Sequence, residues 1–241
     1  MKVEVWSDYA CPFCYIGKRR LEGGLKQFAH SDEVDVEFKS FQLDPSAPRD
    51  NEHDMHTLLA KKYGMSVEQA KQMNAQMTQQ AKEVGLDYHI DTLIPTNTFD
   101  AHRLTHFAKT QGKMEALKER LLKAYFTDSL HLGDHDTLVK LAGEVGLDEN
   151  EVRSVLQSDD FGKEVNQDQQ IAAQIGVTGV PFYVFNQKYA VSGAQPSEVF
   201  LEVLNKVWEE EQEKQPLKVL TPENGNNEDP SGNCGDGSCS I

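Results

Sequence analysis

The spacing of apolar residues changes period twice along this chain, and few architectures accommodate such a change. Residues 2–6, Lys2-Val3-Glu4-Val5-Trp6, alternate with period two. So do Val34-Asp35-Val36-Glu37-Phe38, while Ile16, Leu21, Leu25 and Phe28 between them share one rough helical face. The opening reads as strand–helix–strand, a right-handed parallel βαβ unit whose helix ends near His30. Gly23-Gly24 weakens that helix, so tertiary packing must hold it. Pro45 and Pro48 punctuate the end of the unit, and from about Asn51 to Ile175 the periodicity is helical. Strand character returns at Phe182-Tyr183-Val184-Phe185 and Lys188-Tyr189-Ala190-Val191, with Asn186-Gln187 as a two-residue turn. Pro196 opens a last helix with Val199, Phe200, Val203, Leu204 and Val207 facing inward. The order βαβ–helices–ββα predicts one mixed α/β domain interrupted by an all-helical module of ~120 residues.

Within that module Ser66 and Gln69 have capping-box spacing, and Ala70, Met73, Met77, Ala81 and Val84 follow one face up to Gly85. Asn97 is expected to cap a helix ending near Gly112. Further helices are expected at about 114–127, 136–145, 148–157 and 163–175, with Gly146 and Gly176 as stops. The expected domain limits are 1–48 with 176–215 for the α/β part and 49–175 for the helical insertion. Residues 216–241 read as a flexible acidic tail without large apolar anchors after Leu220, apart from the final Ile241.

Charge narrows the function. With 24 Lys and Arg against 39 Asp and Glu, the formal net charge is −15, a field that repels nucleic acid and anionic membranes. No apolar run approaches the ~20 residues needed to span a bilayer. The N-terminus goes straight into a strand pattern without the apolar segment of a secretory signal, so a cytoplasmic location is expected. Expected partners are therefore proteins or small molecules bearing thiols or disulfides, with neither nucleic acid nor membrane.

Four cysteines fall in two close pairs, Cys11 with Cys14 and Cys234 with Cys239. A reducing compartment keeps structural disulfides rare, so close pairs there point to redox or metal chemistry. Cys11-Pro12-Phe13-Cys14 sits where a strand hands over to a helix. Disulfide exchange needs a thiolate, and a free thiol with a pKa of about 8.5 is only slightly ionised at neutral pH. Unpaired N–H groups and the macrodipole at a helix N-terminus favour the anion. Cys11 is expected to be the exposed attacker and Cys14 the more buried resolver, with Pro12 and Phe13 flanking the substrate. Half a zinc site or two inert core cysteines are the competing readings; zinc would want two further ligands at tight spacing, and the only other cysteines lie in the tail.

Gly179-Val180-Pro181 precedes the returning strand, and a proline cannot donate to a central ladder. Either Val180–Pro181 is cis, leaving the Val180 amide and carbonyl for a substrate strand, or Pro181 begins an edge strand in the ordinary trans form. His102 either lines the site or is satisfied internally, and His102 with His106 lacks a carboxylate motif for metal. No metal site and no bound cofactor are expected. Met73 and Met77 read as core or as a groove lining. Glu209-Glu210-Glu211 reads as a solvated helix face. Cys234 and Cys239 read as an auxiliary redox pair on a tether, a metal-binding remnant, or passengers.

Val3-to-Trp6, Ser7-Asp8-Tyr9-Ala10-Cys11-Pro12-Phe13-Cys14 and Thr178-Gly179-Val180-Pro181-Phe182 together resemble the DsbA family of the thioredoxin superfamily. Ser40-Phe41-Gln42-Leu43-Asp44-Pro45, Asn97-Thr98-Phe99-Asp100-Ala101-His102-Arg103 and Val191-Ser192-Gly193-Ala194-Gln195-Pro196 resemble its FrnE-like branch. That branch is close to the 2-hydroxychromene-2-carboxylate isomerases and kappa-class glutathione transferases. The resemblance, over about residues 2–212, implies an α/β thioredoxin fold with a large all-helical insertion domain and a site at their junction. It implies Cys11 as nucleophile, Cys14 as resolver and Pro181 as a cis proline. The isomerase and transferase relatives typically carry serine where Cys11 stands, which favours disulfide exchange here. A glutathione-dependent isomerase or transferase is the alternative enzyme, and a zinc- or peptide-binding module is the non-enzymatic one. Exchange with thiols such as glutathione would need no bound cofactor. Phe13 departs from the tryptophan common in the branch and brings no charge to the thiolate.

Overall fold

In the computed structural model, residues 1–213 are described. The elements run β1 (Lys2–Ser7), α1 (Pro12–Gln27), a 3-10 turn (Ser31–Glu33), β2 (Asp35–Ser40), α2 (Met55–Tyr63), α3 (Val67–Glu83) and α4 (Phe99–Thr110). They continue with α5 (Met114–Phe126), α6 (His135–Glu144), α7 (Glu149–Gln157), α8 (Gly162–Gln174), β3 (Phe182–Phe185), β4 (Tyr189–Ser192) and α9 (Ser197–Glu213). The sheet order is β2-β1-β3-β4. β1 and β2 pair in parallel from Lys2↔Asp35 to Ser7↔Ser40, as a helical crossover requires. β3 runs antiparallel to β1, with Val5 opposite Tyr183, and turns back into β4 through Asn186 and Gln187, both at positive φ.

Alternation on the strands decides the two faces. Val3, Val5, Tyr183 and Phe185 point to one side, where Leu21 and Phe28 of α1 and Phe200, Leu204 and Val207 of α9 cover them. Each such side chain contributes about 1.5–3 kcal/mol on burial. α1 and α9 touch closely because Gly24 has no side chain: a Cβ there would lie 2.9 Å from Phe200 Cβ and 3.0 Å from the Ser197 carbonyl. Trp6 points to the opposite face, packs with Ala172 and Val177, and donates from Nε1 to the Asp168 carbonyl at 2.9 Å.

The helices between β2 and β3 build a larger core around Leu104, Leu117, Leu121, Tyr125, Leu138 and Val152, and Tyr9 from the turn before α1, with Tyr15 and Ile16 of α1, reach into it. Ser66 and Gln69 form the reciprocal capping box at α3. The segment between α3 and α4 departs from the helical reading: residues 85–98 contain no helix, and Pro95 lies within them. The first residue of α4 also differs. Thr98, not Asn97, occupies the N-cap position, because the Asn97 side chain is used to join loops: its amide donates to the Pro45 and Ala47 carbonyls while Oδ1 accepts the Phe99 N–H. Glu210 and Glu211 depart from a purely solvated face, since they accept hydrogen bonds from Tyr189 and Asn186 of the β3–β4 hairpin.

β2 lies at one edge of the sheet beside α8. The Ser40 N–H donates to Asp168 Oδ2 at 2.8 Å and the Gln42 N–H to Gln169 Oε1 at 3.2 Å. His106 Nε2 sits 3.1 Å from Asp168 Oδ2 and 3.0 Å from Ser40 Oγ. Both contacts use one ring nitrogen, so the trio is a strand-to-helix fastening and not a proton relay.

Candidate active site

β1 ends at Ser7, and four residues later α1 begins with Cys11 at its N-cap and Pro12 in its first turn. Pro12 lacks the N–H that would be unpaired there, and its fixed φ suits the helix start. The Cys14 N–H donates to the Cys11 carbonyl at 3.0 Å, which brings both sulfurs to one end of the helix. Both thiols are free. Cys11 Sγ–H donates to the Val180 carbonyl at 3.4 Å, and the Val180–Pro181 bond is cis. The loop before β3 thus closes over the cysteine pair.

Exposure does not distinguish the two sulfurs as expected. Cys11 is 4% exposed and Cys14 3%, so Cys11 is not an exposed attacker; the Val180 carbonyl and the facing loop cover it. The asymmetry lies in the surroundings of Cys14. Burial and the adjoining Cys11 sulfur push the Cys14 thiol well above its ordinary value, against the Asp8 N–H bond and the Lys118 charge. That N–H donates to Cys14 Sγ at 3.4 Å.

Asp8 is itself a buried centre. Oδ2 accepts the Leu43 N–H at 2.8 Å, while Oδ1 accepts from Thr98 Oγ1 at 2.8 Å and lies 3.2 Å from His102 Nε2. Burial alone would raise this carboxyl, but bonds from His102, Leu43 and Thr98 hold it below the usual carboxylate value. Burial outweighs the Asp8 hydrogen bond and charge at His102 and lowers its imidazole. His102 is 1% exposed and therefore does not face a substrate surface; the structure corrects that expectation, because Asp8 claims its ring nitrogen. His102 and His106 point to different acids, Asp8 and Asp168. Among the described residues no three His, Cys, Asp or Glu side chains gather as a metal site would need.

Two lysines from one region of charge behave differently. Lys18 is paired with Glu119 at 3.0 Å and with Glu22, while Arg19 and Tyr15 also bind Glu119, fastening α1 to α5. Against the cost of burial, hydrogen bonds from Arg19 and Tyr15 bring the Glu119 carboxyl down to about 2. Lys118, also on α5, is 2% exposed and sits over the Tyr9 ring, with Nζ 3.9 Å from its centroid. Tyr88 Oη donates to the Pro12 carbonyl at 2.7 Å, a further tie from the 85–98 segment to the cysteine turn.

Around the sulfurs Pro12 and Val180 are partly buried, Phe13 is 41% exposed and Leu43 38% exposed. The structure therefore brings Cys11, Cys14, Pro12, Phe13, Val180 and Pro181 together. Cys234 and Cys239 lie outside the described residues. Met77 is core and Met73 is exposed. Arg103, from the same motif as His102, donates to the Asp160, Val155 and Ser158 carbonyls and so caps the end of α7. Sequence reasoning did not single out Asp8, Lys118 or Tyr183. Lys118 did carry a signal: it stands three, four and seven residues before Leu121, Leu122 and Tyr125, on their apolar face.

Known proteins share this fold. A probable DsbA oxidoreductase from Streptomyces coelicolor is 42% identical and superposes with a TM-score of 0.84, covering 100% of this chain and 99% of that one. An uncharacterised Bacillus subtilis protein, YwbO, is 30% identical over 202 residues, 82% of this chain and 92% of its own. A cytosolic disulfide reductase, DsbM, from Pseudomonas aeruginosa shares the fold at 14% identity, with a TM-score of 0.60 over 87% of this chain and 100% of that one. A 2-hydroxychromene-2-carboxylate isomerase shares it at 13% identity and 0.68 over 90% and 100%. Among the described residues no helix is long and apolar enough to cross a membrane. The DSBA-like thioredoxin domain is matched over residues 2–205, and with its four-stranded sheet, inserted helices and cysteine turn this chain belongs to that oxidoreductase family.

Proposed function

We propose that the chain is a cytoplasmic thiol–disulfide oxidoreductase acting on disulfides of proteins or small molecules. The observation that carries this reading is the pair of free thiols on the first turn of α1, one at the N-cap and one at the third helical position. The thiolate of Cys11 attacks a substrate disulfide, forming a Cys11–substrate bond and releasing one substrate thiolate. Cys14 then loses its proton and attacks Cys11 Sγ. This closes Cys11–Cys14 and expels the second substrate thiolate, so the protein is oxidised by two electrons and the substrate reduced by two. The reverse sequence oxidises a dithiol. A small thiol such as glutathione would regenerate the reduced form, and no bound cofactor enters.

Pro12, Phe13 and Val180 offer the surface a substrate would meet, with the buried Pro181 next in the chain to Val180, and the exposed ring of Phe13 supplies it with apolar area. The domain with this surface would be 1–48 plus 176–215, with 49–175 as the inserted helices. Cys14→Ser should accumulate mixed disulfides on Cys11, and Cys11→Ser should abolish insulin reduction, both read by non-reducing electrophoresis and peptide mass spectrometry. Absence of Cys11 adducts in the Cys14→Ser protein, alongside robust glutathione conjugation by the unaltered chain, would replace this reading with the glutathione-dependent one.

A further inference from the structure

Lys118 has no role in the exchange sequence above, yet it is the most unusual ionisable group beside the cysteines. Burying an ammonium is costly unless a counter-charge meets it. Among the described residues no carboxylate forms an ion pair with Lys118; its Nζ lies over the Tyr9 ring face, with the Phe38 ring centroid 5.7 Å away. The groups that sense its charge come from several elements: Asp8 from the turn after β1, Cys11, Cys14 and Lys18 from α1, and His102 from α4. The Asp8 N–H bonds Cys14 Sγ at 3.4 Å, and Tyr9, whose ring lies under the Lys118 ammonium, is the next residue, so the geometry places that charge beside the cysteine turn. Burial is the first influence on Lys118, opposed by Cys14 and Asp8, and leaves its ammonium at about 8.

We propose that Lys118 is a positioning residue for the exchange chemistry, its buried ammonium offsetting the Asp8 carboxylate and favouring the Cys14 thiolate that must form to resolve a mixed disulfide on Cys11. The inference rests on the oxidoreductase reading above. Lys118 takes no proton from Cys14 in this scheme and forms no bond; the Cys14 proton leaves to solvent, and the ammonium lowers the energy of the anion left behind. A cation over an aromatic face suits the task, because the ring holds the ammonium in place without neutralising its charge as a carboxylate would.

The test uses the full chain and Lys118→Met, with Lys118→Gln as a second uncharged variant. Rapid mixing of reduced protein with a glutathionylated peptide separates mixed-disulfide formation from its resolution by Cys14. Resolution should slow by about tenfold for each unit by which the Cys14 thiol rises, and its pH profile should move to higher pH, while formation changes less. Urea stability should be unchanged or greater, because a buried charge has been removed. A native resolution rate with an unshifted pH profile would overturn the proposal. So would equal slowing of both steps together with lost stability, which marks a purely structural lysine. A second readout separates this from failure of the enzymatic reading. In a Cys11→Ser background, the rate of Cys14 alkylation against pH reports the thiolate directly. If the unaltered chain exchanges no disulfide, the oxidoreductase reading falls, and Lys118 still stands or falls on whether Lys118→Met moves that alkylation profile upward.

Discussion

Gly17 lies one turn after Cys14, and a Cβ there would meet Tyr183 Oη at 2.2 Å and Pro181 Cγ at 2.9 Å. Neither neighbour is the free end of a flexible side chain, since both belong to rings fixed by β3 and the preceding loop. Gly17→Ala should therefore cost about 1–3 kcal/mol of overpacking, measured by urea unfolding. Tyr183 itself is fully buried, and among the described residues its hydroxyl has no hydrogen-bond partner. Burial is the main cause that pushes its phenol far up, with the two cysteine sulfurs adding to it. Leaving a buried hydroxyl unpaired costs about 1–3 kcal/mol, so Tyr183→Phe should be neutral or stabilising. The double variant should lose less than Gly17→Ala alone, because the colliding oxygen is gone; additive losses in the cycle would show that the notch is not shared.

Helix ends show which interactions are readable in a sequence. Ser66 and Gln69 bond each other's backbone within one turn, so spacing alone announces them, and Ser66→Ala should cost about 1 kcal/mol. The end of α7 is capped differently. Arg103 reaches it from α4 across more than fifty residues, with its remaining fork on Asp100 at 2.8 Å. Arg103→Met should cost more than the cap, about 3 kcal/mol, because three carbonyls lose a charged donor together; thermal unfolding of the two variants side by side checks the order. For the same reason Cys11, Cys14 and Pro181 could be picked out from local motifs, whereas Asp8 and Lys118 could not. Their significance comes from α4 and α5 folding back onto the cysteine turn. Helix and strand periods were legible because burial on one face leaves a repeating trace. The 85–98 segment and the double use of Asn97 left no such trace, since loop-to-loop hydrogen bonds have no period.

Acid should unfold the molecule through a few identifiable carboxylates. Glu37 lies among Lys2 at 2.6 Å, Lys39 at 2.9 Å and Lys109. Against burial, hydrogen bonds from these lysines bring its carboxyl from 4.5 down to about 2, and Glu119 behaves likewise. A carboxyl depressed by folding stabilises the native state above its unfolded value and loses that contribution as it is protonated in the fold. Stability should thus decline as pH falls from about 4.5 towards 2, and Glu37→Gln should flatten that part of a urea-midpoint series. A series of equal slope in the variant would remove Glu37 from the account. The strand that carries Glu37 has a consequence for the crowded chain as well. β2 is a sheet edge, and an open edge is a template for intermolecular strand addition and fibril growth. Here Asp35, Glu37 and Lys39 alternate along it, and α8 occupies the Ser40 N–H through Asp168. A foreign strand arriving there would have to displace a built-in side-chain partner and strip water from fixed charges, so this margin of the sheet is guarded against aggregation.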